Sequence, residues 1–362
     1  MFAVGLLIVG LVALTLGAEV LVRGASGIAA AARVSPLVIG LTVVAFGTSA
    51  PELVVCLQSC FTGQPDLAVG NAVGSNIFNV LFILGISAVI VPLVVAQQLI
   101  WFDVPLMVLA SAVMGALAWD GRLGRGDGVL LFSGLLAYTG WAIIKSRREE
   151  QAIRDEYAAE FGEPAPAAQA KLPLNLVLTV AGLGLLVLGS RWFTGGAADV
   201  ARWFGVSELV IGLTVVAVGT SLPEVATSIM AAVRGERDIA VGNVVGSNMF
   251  NLLAVLGLTA TVAPEGIAVS PQAIALDIPV MIVVAAACLP IFFTGHAIER
   301  WEGALFLGGY AAYTTYLVLA AKNSSALADY RYAMLTFAAP LAGIAVLASV
   351  GLALRKGAPR EA

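Results

Sequence analysis

Two carboxylates stand in the middle of apolar sequence. Glu52 closes GTSAPE, residues 47–52, inside a run that begins PLVIGLTVVAF and continues LVVCL, and Glu224 closes GTSLPE, residues 219–224, in a similar run. A carboxylate inside a bilayer is expensive unless neutralised, so each is a functional candidate. The alternative is a protonated glutamate that seals an interhelical hydrogen bond. Pro51 and Pro223 lack a backbone N–H and clash with the preceding turn, while Gly47 and Gly219 tolerate unusual backbone angles, so both helices should break here. Carbonyls of about residues 45–48 and 217–220 are then freed, and within a membrane they must find partners, a desolvated hard cation among them.

A second polar motif follows each first one: GNAVGSNIFN, residues 70–79, and GNVVGSNMFN, residues 242–251. On a helix, Ser75 and Asn79 share one face, as do Ser247 and Asn251, so each helix presents a hydroxyl and an amide oxygen together. Gly70, Gly74, Gly242 and Gly246 form small-xxx-small seams for close helix approach. Asn71, Asn76, Asn243 and Asn248 read as residues that stitch helices together. This inventory of oxygens suits Na⁺ or Ca²⁺, because Ca²⁺ accepts carboxylates, carbonyls and amides. Zinc and copper are poorly served, since the one histidine, His296, falls in a short loop.

The elements that must position these groups are membrane helices. The 362 residues are 60% hydrophobic and 12% charged, with a mean hydropathy of +0.96, far from a soluble composition of about 25% charged residues. Eleven apolar runs long enough to span a bilayer appear, near 2–22, 36–61, 67–94, 99–119, 128–145, 173–193, 208–233, 239–262, 272–294, 303–321 and 332–354. The alternating segments of about ten residues that mark a transmembrane β-barrel are absent. The first run lacks a basic leader and carries Glu19 near its end, so it reads as a retained helix. Cys56, Cys60 and Cys288 all lie in apolar runs and imply no disulfide framework. The polar stretch 145–171 is too short and too charged for a core of its own, and it contains no EF-hand pattern; it reads as a linker.

Residues 40–79 and 212–251 align without a gap, with 23 of 40 positions identical. Weaker matches extend outward: Gly17 to Gly189, Gly24 to Gly196, FDVP at 102–105 to LDIP at 276–279, and AYT at 137–139 to AYT at 312–314. The expected architecture is an all-α integral membrane protein of two inverted five-helix repeats plus one extra C-terminal helix. The first repeat occupies 1–146, a cytoplasmic linker 147–172, the second repeat 173–322, and the extra helix with its tail 323–362. Inversion follows from the odd helix count, since each helix of the second repeat enters from the side opposite its partner. Placing the N-terminus outside puts 13 of the 19 Lys and Arg on the cytoplasmic side and six outside, as the positive-inside rule favours. The C-terminus is then cytoplasmic and the chain a multi-pass protein of the cell (inner) membrane. Inverted repeats with broken helices point to a secondary transporter whose site lies at the repeat interface.

The duplicated GTSxPE and GNxxGSNxFN motifs resemble the sodium/calcium exchangers of the cation/calcium exchanger superfamily, prokaryotic ten-helix type, over residues 1 to about 322. The resemblance implies Glu52 and Glu224 as central carboxylates. It further implies oxygens from Thr48, Ser49, Thr220 and Ser221, backbone carbonyls of Ala45 and Ala217, and flanking ligands Ser75, Ser247, Asn79 and Asn251. It also implies that the first helix of each half slides to alternate access. Some relatives, potassium-dependent ones included, carry aspartate where this chain has Asn251. The site therefore keeps two acids, and the expected activity is electrogenic, potassium-independent exchange of three Na⁺ for one Ca²⁺. No cofactor is expected beyond the transported ions, and no nucleic-acid partner.

Lesser features have simpler readings. Cys56 and Cys60 read as small packing residues. Asp66, Asp238, Asp103 and Asp277 read as helix-start residues, Glu19 and Arg23 as an i,i+4 ion pair, and Arg191 as a snorkelling surface residue. The competing function is a Ca²⁺/H⁺ antiporter, whose carboxylates would change protonation between states. A passive channel is a further reading. An intramembrane hydrolase using Ser49 or Ser221 lacks a base, because His296 is remote.

Overall fold

Glycine recurs every seven residues in the first long helix, at 10, 17 and 24, and again at 182, 189 and 196 in its counterpart. The computed structural model of the protein, which describes residues 2–62, 65–161, 172–204, 217–322 and 324–356, explains the repeat. Helix α1 (Phe2–Ala32) and helix α7 (Leu172–Trp203) lie against each other along most of their lengths. They run antiparallel. A Cβ on Gly17 would meet the Gly182 carbonyl at 3.0 Å, one on Gly189 the Gly10 carbonyl at 2.9 Å, and one on Gly196 the Ala3 carbonyl at 2.6 Å. A seven-residue period keeps the small residues facing the partner helix, and small residues let backbones touch where no hydrophobic effect drives association.

The broken helix comes next. Helices α2 (Pro36–Thr48) and α3 (Ala50–Phe61) meet at 42°, with Ser49 at φ −83°, ψ 4° and Pro51 in the first turn beyond it. In the second half, α8 (Ala217–Gly219) and α9 (Leu222–Val233) flank Ser221 at φ −89°, ψ 6°, again with a proline just beyond. The expected breaks are both present. Of the run expected at 208–233, residues 208–216 lie outside the described residues.

Two helices form the centre: α4 (Leu67–Ile90), mostly buried, and α10 (Arg237–Val262), whose most apolar stretch is buried throughout. Each contains a stretch of wider π-type turns that begins at the last asparagine of its motif, Asn79–Leu84 and Asn251–Leu256. Such turns are rare and concentrate at functional sites. Gly242 and Gly246 of α10 lie against Leu37 and Leu41 of α2. The stretch that corresponds to Leu37 and Leu41 in the second half lies outside the described residues.

Around this centre stand α5 (Leu99–Asp120), α6 (Arg125–Phe161), α11 (Ala273–Phe293) and α12 (Arg300–Ala321). The outer matches of the repeat meet in space here. Tyr138 of α6 donates to Asp103 of α5 at 3.0 Å, and Tyr313 of α12 donates to Asp277 of α11 at 2.8 Å. As expected from the sequence, each aspartate directly precedes a regular α-helical stretch, Val104–Leu117 or Ile278–Phe293, with a proline just inside; each also ends a π-type turn and tethers a neighbouring helix, which the sequence did not show. Two short ribbons tie the halves together. Strand β1 (Leu93–Val94) pairs with β4 (Ala297–Ile298), and β2 (Arg122–Leu123) pairs with β3 (Ile267–Ala268). The last helix, α13 (residues 327–356), packs on α11 and α12 from outside.

Among the described residues, nine helices are long and apolar enough to cross a membrane, or ten with the bent pair α2–α3 counted as one span. The stretch 147–172, expected as a linker, begins as helix: α6 continues through Phe161, with Lys145 and Glu149 paired at 3.6 Å one turn apart. Residues 162–171 and 357–362 lie outside the described residues, as does the side chain of Asp66. The N-cap of α10 is Glu236, one helical position before Arg237, so Asp238 sits within the first turn instead of capping it. Glu19 pairs with Arg23 at 2.6 Å as expected, and Arg234 also reaches it.

Gly17→Leu would drive a branched side chain into the α7 backbone, and overpacking of this kind costs about 1–3 kcal/mol or more. The expected outcome is a clear loss of thermal stability in detergent. Gly184→Ala, where a Cβ meets nothing within 4 Å, should leave the melting temperature unchanged.

Candidate metal centre

Helix breaks place Glu52 and Glu224 at the starts of α3 and α9, in the first turn, where unpaired backbone N–H groups favour negative charge. Both side chains are buried, at 0% and 1% exposure. The serines at the breaks cross between halves. Ser49 donates to Glu224 Oε1 at 3.1 Å, and the Ser221 hydroxyl lies 3.1 Å from Glu52 Oε1. Ser221 also lies 3.1 Å from the Ser75 hydroxyl, which is 3.5 Å from Glu52 Oε1. Glu52, Glu224, Ser49, Ser75 and Ser221 therefore form one connected cluster built from both repeats.

A pattern of free oxygens surrounds it. The second oxygen of each carboxylate, Oε2, is buried without a partner, as are Asn79 Oδ1, Asn251 Oδ1, Ser247 Oγ and Thr220 Oγ1. Buried polar atoms are normally satisfied, so this many orphans among the residues singled out from sequence calls for a ligand. All six are hard oxygen donors, the kind that Na⁺ and Ca²⁺ accept. Among the described residues no three His, Cys, Asp or Glu side chains come together, which leaves the cluster with its two carboxylates as the acidic charge.

The asparagine at the end of each motif is brought near the acids of the other repeat. The turns that begin at Asn251 pack on α3, which carries Glu52, and those that begin at Asn79 pack on α9, which carries Glu224. Thr48 is buried, and its hydroxyl lies 3.2 Å from Asn243 Oδ1 and 3.4 Å from the Ala45 carbonyl. That carbonyl, expected to be free, also accepts from the Ser49 N–H at 3.0 Å; it keeps less capacity for a cation than the proline break alone suggested. In the second half the Ser221 N–H goes to the Val218 carbonyl at 3.1 Å, and the Ala217 side chain lies outside the described residues.

Several contacts were invisible to sequence reasoning. Asn243 donates to Ser228 at 2.9 Å, while its repeat partner Asn71 reaches Cys56 Sγ at 3.6 Å. Cys56 thus stands at a serine position of the repeat, fully buried, and points to the Ala68 carbonyl at 3.3 Å. Ser190 on α7 reaches the Gly219 carbonyl, the group that Pro223 leaves unbonded. The repeat offset from Cys56 to Ser228 was the available signal for the first pair; nothing in the sequence marked Ser190. His296 sits in a loop at φ 54°, far along the chain from either motif.

If the two carboxylates hold a divalent ion between them, neutralising either one removes half of the charge available to it. Ca²⁺ in large excess over its dissociation constant should raise the melting temperature of the wild-type protein, since a hundredfold excess is worth about 2.7 kcal/mol. In Glu52→Gln and in Glu224→Gln that rise should vanish equally. A shift kept by either variant would show that the two acids do not share one site.

Comparisons with known proteins show the family. The family model described as sodium/calcium exchanger protein matches residues 2–144 and 174–319. The inner membrane protein YrbG of Escherichia coli K12 is 38% identical over 318 residues, covering 88% of this chain and 97% of that protein. The sodium/calcium exchanger MaX1 of Methanosarcina acetivorans is 30% identical over 345 residues, covering 86% and 97%. Among solved structures, the sodium-calcium exchanger NCX_Mj superposes with a TM-score of 0.73 at 29% identity, over 86% of this chain and 97% of that one. Two broken helices that trade serine–glutamate bonds, repeated motifs and a family match across both halves lead to one conclusion: the chain is a multi-pass membrane protein of the sodium/calcium exchanger family, within the cation/calcium exchanger superfamily of prokaryotic type.

Proposed function

We propose that this protein is an electrogenic antiporter that exchanges three Na⁺ for one Ca²⁺ by alternating access, independently of K⁺, and that it works as a Ca²⁺ efflux system. The observation that carries the reading is the set of unpartnered buried oxygens around Glu52 and Glu224. The ligand set comprises Glu52, Glu224, Thr48, Ser49, Thr220, Ser221, Ser75, Ser247, Asn79 and Asn251, with the carbonyls of Ala45 and Ala217. Two carboxylates are neutral with one Ca²⁺ and carry one net positive charge with three Na⁺. Because both loads draw on the same oxygens, they exclude each other, and each cycle moves one charge. At about 2.3 kcal/mol per charge per 100 mV, an inside-negative potential favours Na⁺ entry and Ca²⁺ exit.

The architecture that goes with this function is a pair of inverted five-helix repeats, 1–146 and 173–322, joined by 147–172 and followed by an eleventh span within 323–362. Two features support inversion. The equivalent helices α1 and α7 are antiparallel. The ribbons also join the connection after the third span of one half to the connection after the fourth span of the other, β1 to β4 and β3 to β2; two parallel repeats would put those connections on opposite sides. The charge distribution supports an N-terminus outside and a C-terminus inside the inner membrane.

In proteoliposomes, an outward Na⁺ gradient should drive Ca²⁺ uptake without K⁺, and a pH gradient alone should not. Clamping the potential inside-positive should speed that uptake in a 3:1 exchanger and inside-negative should slow it, because each cycle carries one net positive charge out of the vesicle; uptake rates that do not respond to potential at all would refute the charge count. A cytoplasmic-side-only fluorescent reporter fused at residue 362 should be active, which checks the orientation.

A further inference from the structure

Four of the six asparagines in the two second motifs, Asn76, Asn79, Asn248 and Asn251, do not make equivalent contacts. Asn79 and Asn251 keep a free oxygen, whereas Asn76 and Asn248 are saturated, and the bonds run across the repeats. Asn251 Nδ2 donates to Asn76 Oδ1 at 3.0 Å, and Asn79 Nδ2 donates to Asn248 Oδ1 at 3.1 Å. Asn76 Nδ2 in turn donates to the Asn248 carbonyl at 3.1 Å, and Asn248 Nδ2 to the Asn76 carbonyl at 3.4 Å. Each of these nitrogens also lies 3.6 Å from a methionine sulfur, Met281 for Asn76 and Met107 for Asn248. All four asparagines are at most 2% exposed.

We infer that Asn76 and Asn248 are positioning residues for cation binding, each holding the ligand asparagine of the opposite repeat with its amide oxygen free. The physical basis is the asymmetry of an amide. One end donates twice and the other only accepts, so a reversed amide would turn N–H groups toward the cation and repel it. Asn76 and Asn248 cannot reverse without placing a donor against a donor, because their own nitrogens are committed to backbone carbonyls. Their Oδ1 atoms therefore accept, the NH₂ groups of Asn251 and Asn79 are drawn to them, and Asn251 Oδ1 and Asn79 Oδ1 are left as the unpartnered atoms. The same arrangement makes each half of the site depend on the other half for its orientation.

The inference rests on the reading of these oxygens as a cation site, and a double-mutant cycle on the purified full chain tests it. The readout is the Ca²⁺ concentration that gives half-maximal thermal stabilisation. Asn76→Leu and Asn248→Leu should each raise it about tenfold, as loss of a partner that orients a metal ligand typically does. Adding Asn76→Leu to Asn251→Ala should change it less than about twofold, and likewise Asn248→Leu added to Asn79→Ala, because the oriented group is already gone. The same-repeat pairs, Asn76→Leu with Asn79→Ala and Asn248→Leu with Asn251→Ala, should multiply. Multiplication in the crossed pairs, as a general packing role would give, overturns the inference. Asn76→Ser and Asn248→Ser replace any leucine variant that does not purify as a single species. Stabilisation by Ca²⁺ with no Na⁺-driven flux in the wild type would sink the exchange reading and leave this one standing; no stabilisation by Ca²⁺ or Na⁺ overturns it.

Discussion

Taking a carboxylate out of water costs several kcal/mol even after its surroundings relax, and this protein buries two of them between the same helices, at 0% and 1% exposure. Much of the structure can be understood as what makes that arrangement tolerable. The acids start helices, so backbone N–H groups face them. Ser49 and Ser221 satisfy one oxygen of each from across the interface. The remaining oxygens are left to positive charge that the protein itself does not supply, since no Lys or Arg joins the cluster through an ion pair among the described residues.

Packing serves the same end at two scales. Near the site, α4 and α10 are buried far more than the helices around them, which keeps lipid and water away from the acids. At the periphery, α1 and α7 approach closely at their glycines, where side chains such as Asn175 and Thr179 sit against Gly27 and Gly24. A seam of that kind gives close contact through dispersion, where no hydrophobic effect drives helices together in lipid. The Asp103–Tyr138 and Asp277–Tyr313 bonds, by contrast, join their helices through directional contacts. The molecule thus combines helix pairs tethered by directional bonds with close glycine-mediated contact between the first helices of the two halves.

Much of the site was legible in advance because the reasons for it are local. Proline after a hydroxyl pair breaks a helix whatever surrounds it, and Glu52 and Glu224 are conspicuous because lipid tolerates few charges. The repeat then doubled each signal. Other features were not legible. The reading of Asp103 and Asp277 as helix starts missed their tethering role, because their tyrosine partners lie about 35 residues away in sequence, and only the AYT match hinted at the pairing. The Ala45 carbonyl was expected free, yet the chain turns at Ser49 in a way that returns the Ser49 N–H to it. The charged stretch after residue 146 read as a tether, although i,i+4 pairing such as Lys145–Glu149 is enough to extend a helix out of the apolar span.

What the sequence by itself determined is composition, periodicity and duplication: a helical membrane protein, two broken helices, and two acids among hydroxyls and amides. These depend on residues close together in the chain, or on copies of them. Tertiary structure decided which oxygens are spent and which remain. Asn76 and Asn79 belong to the same type in the same motif, yet one is saturated and the other keeps a bare oxygen, because their partners come from the opposite repeat. Hydrogen-bond partners separated by some 170 residues leave no periodic trace, so the difference between a bonded and a bare amide oxygen arises only when the two halves meet.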